Sequence, residues 1–118
     1  MKTLCLALFT GLAVVVLAAA LDLAGKWEVE FTLDDSSLAG GGFDCSFKQD
    51  GEQLTGACAD GAAAVTGELK GQNVTWKMKA GVTQETITFA GTVDDAGTTM
   101  KGRFAMPDKG GSFTASKQ

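Results

Sequence analysis

The sequence predicts an all-β fold: an eight-stranded antiparallel up-and-down meander barrel that follows a cleaved N-terminal signal peptide. Two observations predict the strands. Apolar and polar residues alternate with a period of two after residue 20, and turns rich in Gly, Asp and Asn separate the alternating segments. A third observation predicts the curvature. Three hairpins place a glycine opposite a bulky apolar residue, and such glycines make room where a large side chain crosses a strongly bent sheet.

Residues 1–20 have the features of a secretory signal peptide. Lys2 supplies a positive charge, residues 4–17 form an almost unbroken apolar run, and Ala18 and Ala20 fit an A-x-A cleavage site. The apolar run is shorter than the roughly 20 residues of a membrane-spanning helix. We therefore expect cleavage after Ala20, no stable membrane anchor, and an exported protein that resides in the periplasm or outside the cell.

The remaining residues, 21–118, suffice for a single β-barrel domain and are too few for two. Nine of the ten basic residues and all fourteen acidic residues lie in this part of the chain, so its net charge is −5. Nucleic acids and anionic membranes bind clustered Lys and Arg side chains. The charge therefore argues against both as partners.

Each predicted strand directs alternate residues inward, while Lys, Glu and Thr occupy most of the outward positions. In the first four strands, the inward residues are Trp27, Val29, Phe31 and Leu33, then Phe43, Cys45 and Phe47, then Leu54, Gly56 and Cys58, then Val65, Gly67 and Leu69. In the last four, they are Val74, Trp76 and Met78, then Ile87, Phe89, Gly91 and Val93, then Met100, Gly102, Phe104 and Met106, then Phe113 and Ala115. We expect these side chains to fill most of the interior.

The hairpin loops set the register of the strands. Loops at residues 50–53, 70–73 and 94–97 pair Phe47 with Gly56, Trp76 with Gly67, Phe89 with Gly102 and Met100 with Gly91. Eight such strands with one apolar face could also form a two-sheet sandwich. The short connections favour the closed barrel, because closure removes exposed sheet edges and side chains just fill a barrel of eight strands.

Two cysteines remain after removal of the segment that contains Cys5. The register places Cys45 directly opposite Cys58 on the same face, where cross-strand Cβ atoms lie roughly 4.5–5.5 Å apart. Exported proteins keep such pairs oxidised. We therefore predict a Cys45–Cys58 disulfide.

The first strand begins with Gly25-Lys26-Trp27, a G-x-W motif that resembles the opening of the calycin barrels. These include lipocalins, fatty-acid-binding proteins, avidins and a family of secreted metalloprotease inhibitors. The resemblance implies that Trp27 closes the barrel floor and that a basic residue of the last strand, here Lys117, packs on it.

The resemblance to each of these families implies a different function. The strand spacing is similar to that of avidins, but the chain has no tyrosine, which avidins use to hold biotin. The Leu23–Trp27 segment and the disulfide resemble the metalloprotease inhibitors, which insert an N-terminal tail into the protease. The FxxxQDGxxLTG-type repeat also resembles uncharacterised exported bacterial barrels, a likeness that implies no activity.

The inventory of catalytic residues argues against an enzyme. The chain has no histidine, so a histidine-based triad and the usual zinc sites are missing, and the disulfide uses both remaining thiols. We expect no catalytic residues, no metal and no cofactor.

The favoured hypothesis is an exported binding or interaction module. A small apolar ligand or a protein partner would bind at the barrel mouth, under the long loop between the first two strands, because long loops in tight meanders are often functional. The candidate contacts are Leu38 and Phe43, with Trp27 and Trp76 inside the barrel. A secreted protease inhibitor and a structural, envelope-associated domain are the alternatives.

Overall fold

The computed structural model describes residues 21–80 and 84–118 of the chain. Eight strands follow one another: β1 Gly25–Leu33, β2 Gly41–Asp50, β3 Gln53–Cys58, β4 Ala63–Lys70, β5 Asn73–Ala80, β6 Glu85–Val93, β7 Thr99–Ala105 and β8 Gly110–Lys117. Each strand is antiparallel to the next, and β8 pairs with β1 to close the barrel. The predicted all-β meander barrel is confirmed, and the two-sheet sandwich is wrong.

The two ends of the barrel carry different connections. The chain enters β1 at the floor end, which also carries the short β2–β3 and β4–β5 turns. The opposite mouth end carries the long loop of residues 34–40 between β1 and β2, together with the β3–β4 and β7–β8 connections.

The register of the first two hairpins agrees with the sequence prediction. Phe47 pairs with Gly56, and Gly67 pairs with Trp76. A Cβ atom on Gly67 would lie 2.5 Å from the Trp76 Cβ and 2.4 Å from the Thr75 carbonyl oxygen. Only a residue without a side chain therefore fits opposite the indole.

The predicted disulfide is confirmed. Cys45 and Cys58 are register partners on β2 and β3, with their Cα atoms 4.0 Å apart, and their sulfur atoms are bonded. Both residues are buried. The bond therefore ties the two strands together inside the barrel.

The register predicted for the third hairpin is wrong by two residues. Gly91 pairs with Gly102, Phe89 with Phe104, and Val93 with Met100. The turn is longer than predicted because the Asp94 carboxylate accepts hydrogen bonds from the backbone N–H groups of residues 98 and 99, at 2.8 and 3.1 Å. The Asp94 N–H in turn donates to the Thr99 carbonyl oxygen at 3.0 Å.

A column of aromatic rings forms the centre of the barrel. From the floor, Trp27 contacts Phe47, with ring centroids 6.3 Å apart, and Phe47 contacts Trp76 at 5.3 Å. Trp76 stacks on Phe89 with centroids 3.9 Å apart and planes 5° from parallel, and Phe113 meets both rings nearly at right angles. The lower and middle parts of the interior are therefore filled, as predicted.

The predicted signal peptide, residues 1–20, lies outside the described residues. In the part of the chain that the structure covers, no helix has the length and apolar character needed to cross a membrane.

Candidate functional site

A cavity of about 250 Å³ lies inside the barrel at the mouth end, and only apolar atoms line it. Its walls are formed by Phe31, Phe43, Ala59, Ala63, Met78, Ile87, Phe89, Phe104 and Met106. These residues come from six of the eight strands and from the turns next to them. The site is thus a product of the closed barrel and not of any single hairpin.

The lining divides into a buried base and a half-buried rim. Phe89, Phe104, Met78 and Ala63 are buried, with at most 7% of each exposed. The rim is formed by the half-buried residues Phe31, Phe43, Ile87 and Met106. The cavity can therefore be reached from solvent at the rim, while its base is buried.

Aromatic rings meet around the cavity at steep angles. Phe31 and Phe104 pack edge to face, with centroids 5.7 Å apart and planes at 81°, and Phe43 meets Phe89 at 6.3 Å and 66°. Edge-to-face pairs of this kind are favourable because the positive edge of one ring faces the negative face of another. The arrangement presents both ring faces and ring edges to the cavity.

Small residues make the space that the rings surround. Ala59 and Ala63, on either side of the β3–β4 turn, fill little of the volume available at the wall. On β8, a Cβ atom at Gly111 would lie 2.8 Å from Cε1 of Phe104 and 2.0 Å from the Thr32 carbonyl oxygen. Glycine at this position therefore allows the Phe104 ring to lie against the wall and leaves the cavity open.

Below the cavity, Trp76 supports the ring of Phe89. The indole is 1% exposed, and its Nε1–H has no hydrogen-bond partner in the described part of the protein. The rings of Phe47 and Phe113 meet the indole at 66° and 87°. Aromatic faces can accept weak N–H···π contacts, but these compensate only partly for a missing hydrogen bond.

The long loop beside the mouth is held by hydrogen bonds. The Asp34 N–H donates to the Gly110 carbonyl oxygen at 2.9 Å, and both oxygens of its carboxylate accept from the Arg103 guanidinium. Asp35 accepts from the N–H and the hydroxyl of Ser37. These hydrogen bonds lower the pKa of both carboxyl groups from the ordinary value of 3.8, with Arg103 acting on Asp34 and Ser37 on Asp35.

The four residues predicted to contact a ligand occupy different places. Phe43 lines the cavity at its rim. Leu38 lies in the neighbouring loop, 42% exposed and outside the lining. Trp76 lies one ring below the cavity, and Trp27 is fully buried at the floor end, so the structure brings only Phe43 of the four into the lining.

Residues 21–24 close the floor end. The Leu23 side chain is fully buried, and its N–H donates to Oε1 of Gln49 at 2.7 Å. The Trp27 Nε1–H donates to the Leu23 carbonyl oxygen at 2.9 Å. Lys117, the register partner of Trp27, donates from Nζ to the Asp22 carbonyl oxygen at 2.8 Å.

Seven of the lining residues were predicted to face inward, but of these only Phe43 was predicted to contact a ligand. Three of the four rim residues, Phe31, Ile87 and Met106, stand at mouth-facing ends of strands or just beyond them. Ala59 and Ala63 flank a turn at the same end. Bulky residues at the ends of strands opposite small residues at a turn are the signal that could have indicated a cavity there.

The chemistry of the cavity is limited to apolar contact. No polar side chain lines it, and within residues 21–80 and 84–118 no group of three or more His, Cys, Asp or Glu side chains is placed to hold a metal ion. An apolar cavity of this size can exclude water and accept an apolar molecule.

No protein-family model and no curated protein matches the sequence. Solved structures do match the fold. The redesigned β-barrel b11L5F_LGL is similar with a TM-score of 0.63 and 18% identity, over 81% of this chain and 91% of that one.

Two further redesigned barrels, each solved with DFHBI bound, are also similar. The barrel mFAP1 has a TM-score of 0.59 and 16% identity, over 81% of this chain and 94% of that one. The barrel mFAP0 has a TM-score of 0.53 and 15% identity, over 81% and 98%. At these identities the likeness is one of fold.

Proposed function

We propose that this protein is an exported binding module that holds a small apolar ligand in the cavity at the barrel mouth and does not transform it. The observation that carries the proposal is the wholly apolar lining of a cavity that opens at one end of a closed barrel. Residues 1–20 would direct export, and the Cys45–Cys58 disulfide suits an oxidising compartment.

The volume of the cavity sets the size of the ligand. An engineered apolar cavity of 150 Å³ binds benzene, and drug-sized ligands occupy pockets of about 300–1,000 Å³. At about 250 Å³, this cavity lies between the two. A ligand of one or two rings, or an aliphatic molecule of similar bulk, would fill it.

In this proposal, the predicted contact residues have distinct roles. Phe43 contacts the ligand directly, and Leu38 covers it from the adjacent loop when the mouth is occupied. Trp76 supports the ligand from below by holding the Phe89 ring in place. Trp27 keeps the opposite end closed, so that a ligand enters only at the mouth.

The similar redesigned barrels support the proposal at the level of fold. Two of them, mFAP1 and mFAP0, are solved with a small molecule, DFHBI. A barrel with this strand arrangement can therefore accommodate a small molecule.

The geometry favours ligand binding over protease inhibition. An inhibitor that inserts its N-terminal tail needs that tail to be free, whereas Leu23 is buried and its N–H is bonded to Gln49. A purely structural domain needs no cavity at its mouth.

The test is a titration of the protein, purified after export, with toluene and with cyclohexane, followed through methyl resonances of labelled methionines. Met78 and Met106 line the cavity, while Met100 is fully buried elsewhere and serves as an internal control. We expect saturable shifts of the first two methyl groups and none of the third. A structural domain without a ligand site would show no saturable shift for either compound.

A pair of charge substitutions supplies the matched control. Met106→Glu places a carboxylate at the rim of the apolar cavity, and Leu33→Glu places one at a half-buried position of the same end, outside the lining. We expect loss of toluene binding in the first variant and wild-type binding in the second, with both variants folded. Equal affinities for the two variants would contradict the assigned site.

A further inference from the structure

The cavity indicates a narrower class of ligand, an inference that rests on the proposed function. We propose that the preferred ligand is a neutral compound of one or two fused aromatic rings rather than an alkyl chain or an ionised acid.

The base of the cavity excludes long ligands. Phe89 lies across it, with Trp76 stacked beneath at 3.9 Å and Phe104 beside it at 5.8 Å. Below Trp76, the interior is filled by Phe47 and then Trp27 as far as the floor. A long chain therefore cannot extend down the barrel axis, and the cavity accepts only a short, compact molecule.

The lining also excludes an ionised ligand. Its walls offer no hydrogen-bond donor and no cation, and moving an unpaired charge from water into such a site is strongly unfavourable. Arg103 belongs to the outward face of β7, and its guanidinium is bound to Asp34. It is therefore not available to neutralise a carboxylate inside the barrel.

The walls suit a flat ring. Four phenylalanines line the cavity, and their planes meet at angles between 33° and 81°. A planar guest would therefore find faces for offset stacking and edges for T-shaped contact, each of which contributes beyond the burial of area. A saturated guest of equal size would gain the burial but not the ring contacts.

The two methionines complement this arrangement. Met78 borders the base and Met106 the rim, and thioether sulfur atoms make favourable contacts at the edges of aromatic rings. Their unbranched side chains can also adjust to the outline of a rigid guest. A rigid planar ligand would thus be enclosed without movement of the strands.

The experiment compares three compounds of ten carbons: naphthalene, decalin and decanoate. Each is titrated into the protein purified after export, with the methionine methyl groups as the readout. We expect naphthalene to bind at least about tenfold more tightly than either other compound, a difference of about 1.4 kcal/mol. Its ring current should shift the methyl groups of Met78 and Met106 but not that of Met100.

The variant Phe43→Leu tests the role of the rings, because leucine keeps the rim apolar and removes one ring. We expect the Kd of naphthalene to rise about three- to tenfold, in keeping with the loss of aromatic contacts, and the Kd of decalin to change by less than about twofold. An unchanged thermal midpoint would show that the variant retains the fold.

The outcomes distinguish this inference from the function on which it rests. If decalin or decanoate binds as tightly as naphthalene and shifts the same two methyl groups, the aromatic preference is overturned and the apolar site stands. If none of the three shifts them up to its solubility limit, the proposed function fails as well. A Phe43→Leu variant that binds naphthalene at wild-type affinity would also overturn the preference.

Discussion

At the scale of single residues, Trp76 and Gly67 show what a sequence can and cannot predict. Their pairing follows from the register of a four-residue hairpin loop, so the sequence was sufficient to place the indole opposite the glycine. The parallel stacking of Trp76 on Phe89 was not predictable, and neither was the absence of an acceptor for the Trp76 Nε1–H among residues 21–80 and 84–118. Both depend on how rings from several strands share the interior, which no local pattern encodes.

Gly67→Ala is expected to destabilise the protein. The new Cβ atom would lie 2.4–2.5 Å from the Thr75 carbonyl oxygen and the Trp76 Cβ, so the backbones of β4 and β5 would have to move apart. Overpacking of this kind typically costs about 1–3 kcal/mol. The free energy of unfolding in urea measures the effect.

The control for this substitution is Gly51→Asn. At Gly51, φ is +63° and a Cβ atom would meet nothing within 4 Å, and asparagine tolerates that backbone conformation. We expect little change in stability. If Gly67→Ala were as stable as the wild type, this result would contradict the close packing of β4 against β5 beside Trp76.

At the scale of elements, the register of a hairpin was predicted correctly where the length of its turn was predicted correctly. The first two hairpins have the four-residue loops read from the sequence, and their registers were correct. The β6–β7 turn contains the same residue types, but the carboxylate of Asp94 binds two N–H groups beyond the predicted loop and extends it. The predicted and observed registers differ by two residues, so both direct the same side chains inward, and the alternation of apolar residues could not distinguish them.

The contribution of Asp94 to stability should vanish in acid. Hydrogen bonds from the turn, chiefly from the Thr98 N–H, lower the pKa of its carboxyl group from the ordinary value of 3.8. A group whose pKa is lower in the folded state stabilises above its unfolded pKa and loses that effect as the pH falls through its folded pKa. We therefore expect Asp94→Ala to be less stable than the wild type at pH 7 and the difference to narrow as the pH falls below the ordinary value of 3.8.

Unfolding in urea at a series of pH values measures this difference, and subtracting the two proteins cancels the other carboxyl groups to first order. Asp94→Asn serves as the control because its amide oxygen can accept the same N–H groups and does not titrate. A difference between the wild type and Asp94→Ala that stayed constant down to pH 2 would contradict the assigned role.

The segment before β1 behaves as an element of the fold, and Gln49 fixes it there. The Gln49 side chain accepts from the Leu23 N–H at 2.7 Å and donates to the carbonyl oxygens of Leu21 and Gly51 at 2.8 and 3.0 Å. We expect Gln49→Ala to cost about 1–3 kcal/mol, the usual penalty for leaving a partly buried donor without a partner. Faster hydrogen exchange at the Leu23 amide would locate the effect.

Gln118→Ala is the matched control, since the side-chain amide of Gln118 donates to the nearby Ser116 carbonyl oxygen at an exposed site. We expect its stability to stay within about 0.5 kcal/mol of the wild type, as for most surface substitutions. Equal effects of the two glutamine substitutions would show that residues 21–24 are not held by Gln49.

At the scale of the whole molecule, the two ends of the barrel differ in how completely they are packed. The floor is closed by buried Leu23 and Trp27 and by hydrogen bonds to the chain entering β1, whereas the mouth has a half-buried apolar rim and a cavity. Alternation predicted that the interior would be apolar, but it could not predict that packing would be complete at one end only. That difference depends on the sum of side-chain volumes around a closed sheet, in which Ala59 and Ala63 oppose large rings.

This division predicts that stability and ligand binding can be changed independently. Leu23→Ala removes a fully buried side chain at the floor and should cost about 2–5 kcal/mol of stability, while the affinity of the folded protein for toluene stays unchanged. Met106→Glu should abolish binding at a smaller cost in stability, because its side chain is only half-buried. Substitutions at separate sites usually add within about 0.3–0.5 kcal/mol, so the double variant should show the sum of the two stability changes. Urea unfolding and toluene titration of the wild type, the two single variants and the double variant measure both properties.

Two results would contradict the independence of the two ends: a coupling energy well above 0.5 kcal/mol, or weaker toluene binding by folded Leu23→Ala. Either result would show that the aromatic column transmits the packing of the floor to the mouth. The two ends would then have to be treated as one site.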